Sequence, residues 1–437
     1  VIVFSNKITP RLRYILNFIG NEISGKPFEV TTNVDTFHDY TGPKINYSSN
    51  IISKSEYRIK NTDLLFESSV KDQPIACFET SARFPNGPVY KAFFRTEGDF
   101  AFDIFAASFY LLSRYEEYMP HQKDIYGRYA HENSLAFKEG FLQLPLVNIW
   151  LEDFKWSVRE KFPEFVIRHS SFKLITTYDI DEAFCYKHKQ WWRTAGGLFR
   201  SMVNGQWSMV SERINVLCGK KSDPYDAFEW MNLVNESNGI KPIYFFLVAG
   251  KTAGYDKNIL PSKRSMQKLI REHSDLYTIG IHPSWQSGDD PEKLKFEILK
   301  LAHISGKQIQ SSRQHYIRMT MPLTYRQLIH LGIESEFSMG YGSINGFRAS
   351  VALPFYWYDL EKEHQTKLLL YPFCFMDANS FYEQKLSAQQ TIDELKHYYD
   401  TARSLNGTMV TIWHNNFLGT SKMFAGWREA FEMFVSR

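Results

Sequence analysis

The sequence predicts an α/β protein: a closed or nearly closed β/α barrel over residues 166–437, preceded by an N-terminal α+β domain over residues 1–165. Three observations carry that expectation. Strand-like and helix-like segments alternate about seven times through the second region, the pattern of parallel strands with helices outside. The first region has a different texture, with one early strand, several helices and long polar, turn-rich stretches such as "INYSSN". Finally, titratable residues cluster at the C-terminal ends of the second region's strands, the rim on which such a barrel carries its site. An open, doubly wound sheet is the alternative topology for the same alternation.

In the first region "VIVFS" reads as a strand and "PRLRYILNFIG" as a helix opened by Pro10 and stopped by Gly20. The segment 98–119, "GDFAFDIFAASFYLLSRYEEYM", is its strongest helix; Phe105, Phe109 and Leu112 share a face, and Arg114, Glu116 and Glu117 mark a solvated end. A second helical stretch covers 141–162, and "FPEF" at 162–165 reads as the boundary. Expected strands of the second region are 173–180, 242–248, 277–282, 314–319, 332–338, 367–376 and 408–414. Between them lie helices at 224–237, 291–306, 322–332 and 388–407; the second carries Leu294, Ile298 and Leu301 on one stripe and ends at Gly306. Residues 187–222 form a basic, aromatic insertion after the first of these strands, either a lid or an elaborated outer layer.

Composition excludes several classes. The formal net charge is +3 over 437 residues with no long basic run, so nucleic-acid binding gains no support. No apolar stretch is long enough for a membrane span, and the first 20 residues, broken by Asn6, Lys7, Pro10, Arg11 and Arg13, do not read as a signal peptide. Cys77, Cys185, Cys218 and Cys374 lie far apart beside apolar text and read as small hydrophobes, which fits a cytoplasmic location. The aromatic content of 16% serves core packing and is also what sugar clefts use, since flat rings stack on pyranose faces. Neither a phosphate-binding glycine loop nor a GxSxG nucleophile elbow is present. The glycine-rich "GYGSINGFR" reads as a turn, with presentation of Arg348 to a ligand as the alternative.

The chemistry-bearing residues are Asp179 and Asp181 in "TTYDIDEAF", His282 ending "YTIGIH", His315 and Arg318 in "QHYIRM", Asp377 after "YPFCFM", and His414 ending "TMVTIWH". Buried acids are costly unless a metal, cation or proton compensates them. One carboxylate and two neutral imidazoles form a common ligand set for Zn²⁺ or a similar divalent ion. Strand alternation turns residues i and i+2 the same way, so one acid of the pair can hold metal while the other takes a proton. His414 can protonate a leaving group, and Arg318 or Arg313 can keep the basic carboxylate ionised.

In these motifs the second region resembles the polysaccharide deacetylases of carbohydrate esterase family 4, in order along about 270 residues. The resemblance implies a deformed β/α barrel and metal-dependent removal of acetyl groups from an N-acetylated amino-sugar carbohydrate. "TTYDIDE" resembles the first motif, which makes Asp179 the base and Asp181 a metal ligand. "GIHPSW" resembles the second and gives the ligand His282; "HYIRMTMP" resembles the third and gives Arg318, lining the groove and bracing the base. "TIWHN" resembles the last, with Ile412 before His414, the group that assists the leaving amine. Two departures stand out. Ile180 separates acids that the family has adjacent, and Gln286 occupies the place of the second motif's further His. His315 is the candidate third ligand, with Ser284 and Gln286 as hard-oxygen alternatives. The first region resembles the uncharacterised domain that precedes such barrels in some bacterial proteins. Two other readings compete: hydrolysis of a different non-peptide C–N amide bond, or a degenerate barrel that binds glycan or a partner.

Overall fold

The computed structural model describes residues 1–436. The N-terminal region builds a four-stranded parallel sheet from β1 (Ile2–Phe4), β2 (Glu29–Thr31), β3 (Lys44–Asn46) and β4 (Tyr57–Arg58), in the order β2-β1-β3-β4. The helix after β1, Pro10–Ser24, has Thr9 as N-cap, accepting from the Leu12 N–H, and Pro10 in its first turn. It runs past Gly20 and stops at Gly25, whose φ of 76° supplies the left-handed turn that ends it. A hairpin of β5 (Phe78–Ser81) and β6 (Val89–Ala92) and the helices Ile104–Leu112 and Leu146–Lys161 complete the region.

The expected solvated end at Arg114, Glu116 and Glu117 is buried instead. The Arg114 Nε donates to Glu117 Oε1 at 2.7 Å and its Nη2 to Glu116 Oε1 at 2.8 Å. Arg348 of the second region closes the cluster, its Nη2 donating to Glu117 Oε2 at 2.6 Å. The charges tolerate burial because each has an opposite partner. Arg348 is thereby engaged in the packing between the two regions.

The second region holds β7 (Lys173–Ile180), β8 (Ile243–Phe246), β9 (Thr278–Ile281), β10 (Ser311–Ser312), β11 (Ser335–Glu336), β12 (Phe355–Asp359), β13 (His364–Leu370), β14 (Phe375–Met376) and β15 (Thr408–His414). They form one nine-stranded sheet in the order β12-β13-β11-β10-β9-β8-β7-β15-β14, parallel except for the β12–β13 pair. The sheet is not a closed barrel: no pairing among the described residues joins β12 to β14. Strands β10, β11 and β14 have two residues each, too few to extend the ladder into closure, and an antiparallel hairpin ends the other side. The sheet nevertheless curls. Phe245 on β8 and Phe337 just after β11 meet at 5.2 Å although two strands lie between theirs, which a flat sheet with strands about 4.8 Å apart forbids. Those rings, with Ile317, Phe373, Met376, Val410 and Ile412, form a small inner core.

The expected strand at 314–319 is a turn. After β10 the chain takes a short helical turn, His315–Ile317, with Tyr316 at φ 59° and Ile317 at φ 55°. Left-handed backbone is costly for a β-branched residue, so ladder pairing cannot continue there. The expected strand at 367–376 divides into the end of β13 and β14. The helix Arg264–Leu276 adds an element outside the anticipated alternation. Residues 187–222 contain a helical hairpin, Trp191–Val203 and Trp207–Leu217. Cys218, expected to pack as a small hydrophobe, is exposed. Among the described residues no helix is long and apolar enough to cross a membrane.

Candidate functional site

The C-terminal ends of β7, β9, β10 and β15 converge on a cavity of about 560 Å³. The β7–β15 register sets Asp179 beside His414, and the β8–β9 ladder continues one step as the His282 N–H donates to Phe246 O at 3.0 Å. The Arg313 N–H then donates to Ile281 O at 3.0 Å, bringing the chain after β10 alongside. The left-handed turn at Tyr316 and Ile317 lets His315 return toward β7.

Asp181, His282 and His315 place one ligand atom each within 4.8 Å of one another. The Asp181 Oδ1 lies 3.0 Å from His282 Nε2, and its Oδ2 3.5 Å from His315 Nε2. Each imidazole is fixed from behind. The His282 Nδ1 faces Arg313 O at 2.6 Å, and a carbonyl only accepts, so that nitrogen carries the proton. The His315 Nδ1 lies 3.0 Å from Asp256 Oδ1, which is an acceptor as well. In the neutral rings both Nε2 atoms therefore present lone pairs to Asp181. The Asp181 Oδ1 is buried and accepts no hydrogen bond, so with neutral rings acceptor faces acceptor, a conflict that a shared cation or a proton on a ring relieves. One carboxylate oxygen and two imidazole nitrogens suit a borderline divalent ion. These residues fit a metal.

Asp179 is almost fully buried and is held by Arg313, whose Nη1 donates to its Oδ1 at 2.8 Å and to Thr177 Oγ1 at 2.6 Å. The guanidinium lies 4.5 Å over the Phe245 ring, and its Nε donates to Phe337 O at 3.0 Å. Arg318, expected to brace Asp179, does not reach it. Its Nη1 donates to Trp285 O at 3.1 Å, its guanidinium stacks 4.6 Å over the Trp285 ring, and Nη2 bonds Asp289. The left-handed turn before it carries Arg318 out to the rim. On the far side His414 is clamped by Asp377: Nδ1 lies 2.6 Å from Asp377 Oδ1, and the His414 N–H donates to Oδ2 at 2.7 Å. The His414 Nε2 lies 3.4 Å from Asp181 Oδ2. Ile412 lies in the inner core below the site and outside the cavity lining.

The two oxygen alternatives for a third ligand point elsewhere. The Ser284 hydroxyl donates to Glu297 Oε1 at 2.6 Å, and the Gln286 Nε2 donates to Asp256 Oδ2 at 2.9 Å. Gln286 thus steadies the carboxylate that steadies His315.

The electrostatics follow the geometry. Burial raises Asp181, but His315 and His282 outweigh it and hold the carboxyl well below its ordinary range. Burial pulls His315 down, while Asp181 and Asp256 push it up to about 9. His414 likewise rises well above its usual value, because Asp377 and Asp181 exceed the cost of burial.

Asp256 carried no strand-end signal, being in the loop after β8, and its contribution appears only once that loop folds back. Nor was Tyr126 or Arg128 legible as a cavity residue, since both come from the N-terminal region. With Tyr225, Tyr255, Tyr316, Tyr382 and Phe417 they line the cavity. Arg128 spans the regions, its Nη1 donating to Tyr316 O at 2.8 Å and Gly342 O at 3.0 Å.

Residues 1–163 match the model of a family of unknown function, DUF7033. No curated protein matches the sequence. Among solved structures, one described as a polysaccharide deacetylase from Mycobacterium smegmatis aligns with a TM-score of 0.39 at 12% identity, over 62% of this chain and 84% of that one. A second so described, from Pseudomonas aeruginosa, aligns with a TM-score of 0.39 at 14% identity over 61% and 84%. A GH57 branching enzyme from the archaeon Thermococcus kodakaraensis aligns with a TM-score of 0.35 at 8% identity over 61% and 68%.

Proposed function

We propose that this chain is a metal-dependent hydrolase that removes acetyl groups from an N-acetylated amino-sugar carbohydrate, with residues 1–165 and 166–437 acting as two domains around one cleft. The observation that carries the reading is the Asp181 Oδ1, buried without a hydrogen bond and facing the free nitrogen of His282 at 3.0 Å. Asp181, His282 and His315 would hold a divalent ion, most simply Zn²⁺, which when bound supplies Lewis acidity toward an amide carbonyl and toward water. Asp179 takes the proton of the attacking water, and Arg313, 2.8 Å away, orients that carboxylate in its buried place. His414 gives a proton from Nε2 to the departing amine, while Asp377 on Nδ1 orients the ring and stabilises its charged form. The cavity's aromatic lining supplies flat faces for a pyranose, and Glu182, Lys257 and Glu383 supply polar groups for hydroxyls.

The test measures zinc content and acetate release from N-acetylated chitooligosaccharides in the wild type and in Asp181→Ala and His282→Ala. Metal content and activity should fall together in both variants. Full acetate release by protein stripped of metal would refute the reading, and release from small amides alone would refute the sugar assignment.

A further inference from the structure

The helical hairpin between β7 and β8 is built inside out. Along Trp191–Val203 the large apolar side chains Trp191, Trp192, Phe199, Met202 and Val203 are exposed, as are Ala195, Gly196 and Arg200, whereas Ser201 is buried and Arg193, Thr194, Gly197 and Leu198 are half-covered. Trp191 is 78% exposed, Phe199 67% and Val203 68%. A surface helix of a soluble protein turns its apolar stripe to the core; this one turns it to solvent. The second helix continues the pattern, with Trp207, Ile214 and Leu217 outward and only Val210 and Val216 buried. One contact between the helices joins a small residue to a polar one. Gly197 leaves room for the Arg213 guanidinium, which would collide with any Cβ there and which donates through Nη1 to Thr194 O at 3.2 Å. The outward apolar face is therefore not spent on closing the hairpin.

Charge tells what could cover it. Residues 187–221 carry seven Lys and Arg against the single acid Glu212, a net +6 in a chain whose total is +3, which leaves −3 for everything else. Arg200, Lys220 and Lys221 are exposed. A second copy of the same face would set +6 against +6. Helices of 13 and 11 residues are too short to span a bilayer but suit its interface. Three outward tryptophans are the side chains that settle at headgroup level.

We propose that this hairpin docks the protein on an anionic phospholipid surface, with Trp191, Trp192, Phe199 and Trp207 in the headgroup boundary and the basic residues against lipid phosphates. Its root is fastened to the cavity rim: Lys189 Nζ pairs with Glu182 Oε1 at 2.5 Å, and Arg193 Nη1 donates to Lys257 O at 3.2 Å. Glu182 and Lys257 line the cavity, so docking holds the cleft near the membrane. This inference stands apart from the proposed hydrolysis, and its test reads no activity.

The experiment floats the full chain with phosphatidylcholine vesicles containing about 30% phosphatidylglycerol, and with phosphatidylcholine alone. Binding should require the anionic lipid and should weaken between about 0.1 M and 1 M salt, as the screening length shrinks from about 10 to about 3 Å. The exposed-site variant W191S/W192S/F199S, checked for an unchanged melting temperature, should lose on the order of 100-fold in partitioning. The charge variant R200E/K220E/K221E should lose roughly tenfold or more. Failure of the wild type to float with anionic vesicles overturns the proposal. Undiminished flotation of the first variant does so too, as does a dimer in solution that this variant dissociates while vesicle binding is absent.

Discussion

Arg313 and Arg318 lie five residues apart, and only the first touches Asp179. Arg313 is fully buried with its guanidinium between the Asp179 carboxylate and the Phe245 ring, a place where the planar fork supplies what a point charge does not. Replacing it with Lys keeps the charge and loses both the hydrogen-bond pair to Thr177 and Asp179 and the stacking. The Arg313→Lys variant is expected to lose about 10- to 100-fold in kcat for acetate release with zinc content unchanged, the scale of a misplaced general base. The Arg318→Ala variant should stay within about threefold in kcat, since Arg318 caps Trp285 and Asp289 at the rim. Steady-state kinetics with metal analysis on both variants checks the assignment; a reversed order of effects would return the bracing role to Arg318. Asp179, Asp181, His282 and His414 were readable because each lies at or just past a strand end, so topology alone brings them together. The bracing arginine was not, because choosing between two arginines required knowing where the strand stops.

Among the elements, β11 carries a buried acid outside the Asp181–His282–His315 cluster. Glu336 accepts from the Ser338 N–H at 2.9 Å and has no full counter-charge. Burial, against help from Ser338, Tyr325 and Arg313, pushes its carboxyl up to about 7 from an ordinary 4.5. The folded value lies above the unfolded one, so its stabilising contribution is complete below about pH 4.5 and is lost as pH rises through 7. Glu336→Gln cannot ionise. Between pH 4.5 and 8 the wild type should lose about 3 kcal/mol relative to this variant, at ~1.4 kcal/mol per pH unit. Denaturant unfolding of both proteins across that range measures it, and parallel stability curves would exclude the linkage. The same strand shows where sequence patterns stop being informative. Strands β7 and β15, of eight and seven residues, carry enough apolar text to be placed from it; β10 and β11 have two residues each and no period to read. In "QHYIRM" the apolar alternation is present, yet Tyr316 and Ile317 turn left-handed, so local propensity yields to the placing of His315. Of the closed or nearly closed barrel expected from the alternation, closure is not reached, for the related reason that two-residue strands leave the sheet curled and open.

The whole molecule is joined by buried charges, among them Arg114, Glu116 and Glu117, which the sequence reads as a solvated helix end. Arg11 pairs with Glu363 at 2.5 Å and Tyr14 donates to Tyr356 O at 2.8 Å, so the N-terminal region covers the β12–β13 hairpin that ends the sheet. Glu117, between Arg348 and Arg114, is held down to about 2 although burial alone would raise it. Its folded value lies below the ordinary 4.5, so this contribution is present above pH 4.5 and fades as pH falls toward 2. Glu117→Gln leaves Arg348 buried beside a neutral partner and should cost about 3–5 kcal/mol in unfolding free energy at neutral pH, with the deficit shrinking on acidification. The cavity gives the N-terminal region a second task. Tyr126 packs against Tyr316 at 5.2 Å and Tyr255 at 5.8 Å, and Arg128 stacks 4.7 Å from the Tyr126 ring while bonding the Tyr316 and Gly342 carbonyls. Position 342 must be glycine for this, because a Cβ there would collide with the Arg128 guanidinium. The wall reaches the Asp181–His282–His315 cluster through Tyr316, whose ring packs 4.7 Å from His315, while Tyr126 lies one ring further out, so loss of the Tyr126 ring alone should weaken substrate holding without altering the chemistry. Tyr126→Ala is expected to raise KM for an N-acetylated oligosaccharide about tenfold, the worth of one stacking face, with kcat within about twofold and zinc content unchanged. A fall in kcat at constant KM would instead mean that the N-terminal region acts on the transition state.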